Sequence, residues 1–358
     1  FDTLQHLIKS GLVLAGHDVS SGGLLTCLLE MCFADLELGA ELDLTPMGES
    51  DLVKLLFAEN AGVVIQVQND SVEKLLNEAG ISFFKIGKAT SKAVLSVKNG
   101  AETHTFDVAE LRDVWYETSY LLDRRQTAGE LAKTRFDNYK TQPLHYVFPT
   151  HFDGKRPLRD ESKPRIKAAI IREKGSNSER EMAHAMYLAG FDVKDVHTTD
   201  LISGRETLED VRFIGAVGGF SNSDVLGSAK GWAGALLYNE KARQALDNFF
   251  KRDDVLSVGI CNGCQLFVEL NLIHPEHATP PRMLHNDSHK HESIFTSVVI
   301  PENNSVMLHS LAGCRLGIWV SHGEGKFHLP LPESAYNIVA KYGYDAYPAN
   351  PNGSDYNA

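Results

Sequence analysis

Val255-Leu256-Ser257-Val258-Gly259-Ile260-Cys261-Asn262-Gly263-Cys264-Gln265-Leu266-Phe267-Val268-Glu269-Leu270 opens as a short apolar run and continues with helical composition from Gln265 to Leu270. An apolar run of this length, closed by glycine, reads as a buried strand. Strand, tight turn and helix around one reactive side chain make a nucleophile elbow, here G-x-C-x-G with Cys261 at its centre. The flanking glycines admit a strained turn and the close approach of a substrate. N–H groups at the start of a helix favour a thiolate, so Cys261 is the expected nucleophile. Two other readings fit the same letters. Cys261 and Cys264 could be small core residues, or a C-x-x-C redox or metal pair, although that motif stands without the second pair or His cluster of a zinc site.

Moving outward, Ile166–Ile171 reads as a strand and Arg172–Asn177 as a loop. Ser178 is placed to cap a helix from Glu179 to Ala189, ended by Gly190. Strands are expected over Phe191–Val196 and Val211–Val217, and one helix over Ala233–Lys251. Alternating β and α elements imply an α/β fold with a doubly wound, mostly parallel sheet across 164–358, its site at the carboxyl ends of the strands. Gly218-Gly219-Phe220-Ser221 falls at such an end. A glycine pair there is often a plain turn, but beside an elbow its exposed N–H groups suit an oxyanion hole. Asn222, Ser223 and Asp224 would then shape the pocket.

Residues 1–110 read as an α+β domain. Strands are expected over Gly62–Val67, Phe83–Ile86 and Ala93–Val97, and helices near Asp51–Phe57 and over Ser71–Ala79. His17-Asp18-Val19-Ser20-Ser21-Gly22-Gly23 leads into an amphipathic run from Leu24 to Ala34. Asp18 and Ser20 are good N-cap types, and a glycine-rich helix entry can hold an anion; a capped helix with a tight turn is the plainer reading. Residues 111–163 form the expected connector. It has one or two helices within Asp113–Ala132, then a linker from Thr141 marked by Pro143, Pro149, Pro157 and Pro164.

The chain has 358 residues, enough for about two domains. A net charge of −12 without a basic tract argues against a nucleic-acid partner. No apolar run reaches membrane-spanning length and no signal peptide opens the chain, so no membrane partner is expected. Cysteines at 27, 32, 261, 264 and 314 fit reduced thiols and a cytoplasmic protein. Both ends, Phe1 and the turn-rich Asn352–Ala358, read as cuts within a larger polypeptide.

The loop His17–Leu24 with Leu28-Leu29-Glu30-Met31 resembles the C-terminal half of aminoimidazole-ribonucleotide-synthetase-like domains. Gly218–Ser221, Gly259–Gln265 and Trp319-Val320-Ser321-His322-Gly323-Glu324-Gly325 resemble class I (triad) glutamine amidotransferases. With Gly175–Glu181 and His285-Asn286-Asp287-Ser288, the order of motifs over nearly the whole chain is similar to the C-terminal part of the large single-chain phosphoribosylformylglycinamidine synthases.

That resemblance implies an ATP-dependent, glutamine-hydrolysing ligase of de novo purine biosynthesis. Cys261 would form a γ-glutamyl thioester and release ammonia. Gly219 and Asn262 would supply the oxyanion hole, and Gln265, Phe220, Ser321, His322, Gly323 and Glu324 would line the glutamine pocket. His17, Asp18, Ser20, Gly22 and Gly23 would lie at a phosphate or nucleotide site. ATP and Mg would belong to the full-length enzyme, with none assigned to this chain. The implied partners are glutamine, formylglycinamide ribonucleotide and the remaining N-terminal synthetase domains of the same polypeptide. The family's His-Pro-Glu pair would follow Ala358. His274-Pro275-Glu276 has those letters, but in a loop directly after the elbow helix, and is taken as a chance match. His322 and Glu324 are the rival catalytic pair. No metal is expected, since His285, His289, His291 and His309 lack carboxylate or Cys partners. The alternative functions are a catalytically incomplete interaction fragment, another amidotransferase, or a different cysteine hydrolase.

Overall fold

The computed structural model describes residues 1–35, 37–140, 144–155 and 158–358; Pro143 and Pro157 of the expected linker lie outside them. The chain divides into two compact units, Phe1–Leu122 and Asp123–Ala358.

The first unit runs α1 (Asp2–Lys9), β1 (Val13–Val19), α2 (Gly23–Cys32), β2 (Gly39–Asp43), α3 (Leu52–Phe57), β3 (Gly62–Val67), α4 (Ser71–Glu78), β4 (Gly87–Thr90), β5 (Val94–Asn99), β6 (Glu102–Asp107) and α5 (Val108–Asp123). β1 and β3 form an antiparallel pair, and a second sheet has the order β4-β2-β5-β6. Leu24, Leu25, Leu28 and Leu29 of α2 close its core against Leu42, Leu95 and Val97. The strand expected over Phe83–Ile86 forms instead at Gly87–Thr90, because the ladder with Gly39–Leu42 sets the pairing. Neither Asp18 nor Ser20 caps α2. Its N-cap is Gly22, at φ 85°, without a side-chain cap.

The second unit runs α6 (Leu131–Asn138), β7 (Ile166–Arg172), α7 (Glu179–Leu188), β8 (Phe191–His197), α8 (Thr198–Ser203), β9 (Phe213–Ala216), α9 (Lys230–Leu237), α10 (Glu240–Phe250), β10 (Leu256–Gly259) and α11 (Asn262–Glu269). β11 (Arg282–Leu284), β12 (Glu292–Val299), β13 (Arg315–His322), β14 (Lys326–His328) and β15 (Lys341–Tyr342) follow. Its central sheet has the order β10-β9-β7-β8 and is parallel throughout. Alternation along β7 explains the two covering layers. Ala169 and Ile171 face Trp232, Leu236, Phe249 and Leu266 of α9, α10 and α11, while Ala168 and Ile170 face Met182 and Met186 of α7. A strand buried on both faces needs helices on both sides, which is the doubly wound arrangement. β11–β14 and β13-β12-β15 are separate antiparallel ribbons. The single helix expected over Ala233–Lys251 is two, because the Asn239 side chain accepts from Ala242 N–H and starts a new one. Ser178 precedes α7 at φ 70° and caps nothing; its hydroxyl meets Asn177 Oδ1 instead.

Candidate active site

The residues expected at the nucleophile come together where β7, β9 and β10 end. Cys261 sits between β10 and α11 at φ 54°, ψ −112°, a conformation that costs a non-glycine residue energy and marks functional turns. The two elbow glycines are required by space. A Cβ on Gly259 would stand 2.6 Å from the Gly263 carbonyl oxygen, and one on Gly263 would stand 2.1 Å from that of Ala216. With no side chain at either place, α11 starts directly against the ends of β9 and β10.

The loop after β9 closes on this elbow. A Cβ on Gly218 would reach 3.3 Å from Cys261 Cβ and 3.9 Å from its sulfur. Gly219 follows at φ 117°, held where Asn177 N–H donates to Gly218 O at 2.8 Å and Phe220 N–H to Gly175 O at 2.9 Å. Among the described residues, the N–H groups of Gly219 and Asn262 have no hydrogen-bond partner. They are the free donors that an oxyanion hole needs.

Asn262 is fully buried and ties three segments together. Its Oδ1 accepts from Ser221 N–H at 3.2 Å, and its Nδ2 donates to Gln265 Oε1 at 3.0 Å. Gln265 Nε2 in turn donates to Glu324 O at 2.8 Å. Both ends of the Gln265 amide are therefore engaged inside the protein, and it ties α11 to Glu324. The Glu324 carboxylate accepts from Ser228 N–H at 3.4 Å. Cys261 Sγ–H points to Ser321 O at 3.7 Å. Ser321 Oγ lies 3.2 Å from His291 Nε2, and Phe220 is tilted against the His291 ring at 6.3 Å. Asn286 is the residue whose role sequence reading missed. Fully buried, it donates to His322 O at 2.7 Å and accepts from Gly325 N–H at 3.0 Å, while its own N–H donates to Gly323 O. An Asn followed by Asp looks like any turn in sequence, and only the fold reveals what it clamps.

His322 has a buried Nδ1 without a hydrogen-bond partner. Burial, and then the neighbouring His291 charge, push its pKa down to about 4, with Glu292 opposing. Burial, then the charge of Cys261, pushes the Cys264 thiol up to about 12, so the second cysteine of C-x-x-C stays protonated at neutral pH.

The loop His17–Gly23 belongs to the first unit and is already occupied by acidic partners. His17 Nε2 meets Glu30 Oε2 at 2.9 Å, and Gly22 N–H donates to Glu59 Oε1 at 2.9 Å. Ser20 contributes its carbonyl, which accepts from Gly23 N–H. Asp18 O accepts from His17 Nδ1 at 2.7 Å.

No described helix is long and apolar enough to cross a membrane. Over 99% of its length the chain is 38% identical to a Homo sapiens protein named phosphoribosylformylglycinamidine synthase. Identity is also 38%, over 99% of the chain, to an Arabidopsis thaliana protein named "Probable phosphoribosylformylglycinamidine synthase, chloroplastic/mitochondrial". The chain spans 29% and 27% of the length of these two relatives. Among solved structures, PurLQS from Thermotoga maritima matches over 54% of this chain and 80% of that one, at 26% identity and a TM-score of 0.44. Residues 1–98 match the family of the AIR synthase related protein, C-terminal domain. Residues 165–358, more than half of the chain, match the CobB/CobQ-like glutamine amidotransferase domain, and the chain belongs to that amidotransferase family.

Proposed function

We propose that this chain is the ammonia-producing part of a glutamine-dependent phosphoribosylformylglycinamidine synthase, a ligase of purine biosynthesis. The observation that carries the reading is the elbow itself, with Cys261 at φ 54° against Gly218 and between the free N–H groups of Gly219 and Asn262. Cys261 Sγ, losing its proton to a base, attacks the side-chain amide carbon of glutamine. The two N–H groups receive the developing oxyanion. The C–N bond breaks, the nitrogen takes up a proton and leaves as ammonia, and water then hydrolyses the γ-glutamyl thioester to glutamate. Ser321, His322, Gly323 and Glu324, fixed by Gln265 and Asn286, form one wall of the glutamine pocket, and Phe220 another.

His322 is a poor general base, because a pKa near 4 leaves it little proton affinity at neutral pH. This favours a base other than His322 for the reaction. Ammonia would pass to an ATP-dependent site on the remaining synthetase domains, where formylglycinamide ribonucleotide accepts it. The loop His17–Gly23 does not fit a phosphate as it stands, since Glu59 takes the Gly22 N–H that an anion would need. ATP and Mg therefore belong to residues outside this chain in our reading. The compartment proposed is the cytoplasm.

The test is ammonia release from glutamine and, separately, synthesis driven by added ammonia, both in the complete synthase. Cys261→Ser is expected to abolish the first and spare the second. Loss of both in a folded variant would overturn the assignment. Release by the 358-residue chain that disappears in His322→Ala would instead make His322 the base.

A further inference from the structure

The turn that follows α11 gathers donors that the glutaminase chemistry does not use. His274 stands at φ 55°, and His277 N–H donates back to His274 O at 3.0 Å, so one tight turn carries both imidazoles and the Glu276 carboxylate. His274 Nδ1 lies 2.9 Å and His277 Nε2 3.5 Å from Glu276 Oε1. One ligand atom from each of the three residues lies within 4.8 Å of the others. The two imidazole rings stack at 4.5 Å, and Tyr336 packs edge-on against each at 5.3 Å. Tyr336 is itself anchored, its hydroxyl accepting from Leu331 N–H at 2.9 Å. His277 is 11% exposed, and its Nδ1 is buried without a hydrogen-bond partner. The nitrogen turned to Glu276 is Nε2, so an ion would take Nε2 and leave Nδ1 as the protonated nitrogen of that ring.

We propose that His274, Glu276 and His277 form a binding site for a divalent transition-metal ion of the zinc class. Two imidazoles and a carboxylate are the donor set that such ions take with a fourth position left to water, whereas calcium and magnesium prefer oxygen ligands alone. Zinc bonds of about 2.0–2.2 Å place neighbouring ligand atoms about 3.3–3.6 Å apart. Glu276 Oε1 already stands 2.9 and 3.5 Å from the two imidazole nitrogens, and its side chain, 64% exposed, is free to adjust around an ion. Tyr336 packs on both rings from a different segment and would hold them in place around a bound ion. The site is independent of the glutaminase reading.

The experiment is calorimetric titration of Zn²⁺ into the 358-residue chain carrying Cys261→Ser and Cys264→Ser, which removes the two cysteines that are only partly buried and leaves Cys27, Cys32 and Cys314 in the core. One equivalent is expected, and Co²⁺ should give the intense visible absorption of a low-coordinate site. His274→Ala and His277→Ala should each weaken binding by at least about tenfold, the loss that even an outer-sphere partner causes. Glu276→Gln, at an exposed position that leaves folding intact, should weaken binding and shift the cobalt spectrum. No binding by the parent chain, or one equivalent bound with an affinity that Glu276→Gln and both alanine variants leave unchanged, would overturn the proposal.

Discussion

At the scale of single residues, Cys261 and His322 show two opposite uses of burial. Cys261 stays partly exposed at a backbone bent into φ 54°. His322, the last residue of β13, is held neutral by burial. The consequence for stability has a definite sign. Its folded pKa of about 4 lies below the ordinary histidine value of 6.5, so as pH falls the unfolded chain takes up a proton first. His322 therefore costs nothing above pH 6.5, and stability drains away between 6.5 and about 4, by on the order of 3 kcal/mol at most. Urea midpoints measured at pH 7, 5.5 and 4.5 should fall accordingly, and His322→Gln should flatten that part of the curve. A slope unchanged in the variant would assign it to other groups. The elbow around Cys261 is legible in the sequence because glycine spacing around one cysteine has few other uses. The uncharged clamp of Asn286 is not, since nothing in its neighbours' identity marks burial.

At the scale of elements, the contact between α11 and β9 decides whether Cys261 is presented at all. Gly263 is where the helix backbone touches the strand, with Ala216 O filling the place of any Cβ at 2.1 Å. The obstacle is backbone on a central strand, which cannot move aside as a side-chain tip can. Gly263→Ala is expected to destabilise the second unit by on the order of 2–3 kcal/mol and to lower the rate of Cys261 alkylation, read by mass spectrometry in the folded protein. An unchanged rate would show that the elbow tolerates the shift. The same scale explains which elements could be read from the letters. β7 and the helix after it followed from alternation and length. The break at Asn239 and the strand at Gly87–Thr90 did not, because a side-chain cap and a long-range ladder set those boundaries. Local composition carries neither.

At the scale of the whole chain, the amidotransferase match begins at residue 165, yet the second compact unit begins at Asp123. The difference is a buried charge network supplied by the intervening stretch. Arg135 Nη2 donates to Glu292 Oε2 at 2.7 Å, and Tyr347 OH donates to Glu292 Oε1 at 2.8 Å. Glu292 is 1% exposed. Asp123 pairs with Lys290 and accepts from Thr127 Oγ1 at 2.7 Å. Burial pulls the Asp123 carboxyl up, but these bonds and the Arg135 charge hold it below its usual value. Glu292 and Lys290 flank His291, and Glu292 pairs in register with His322, so the network braces the end of β13 that meets Cys261. A chain starting at 165 would bury Glu292 without Arg135 and leave Lys290 without Asp123. Removing one partner of a buried ion pair costs about 3–5 kcal/mol. The 165–358 chain should therefore unfold at lower urea than 123–358, and Glu292→Gln should recover part of the loss in the shorter chain while destabilising the longer one. Equal midpoints for the two lengths would show that residues 123–164 lie on the unit without supporting it.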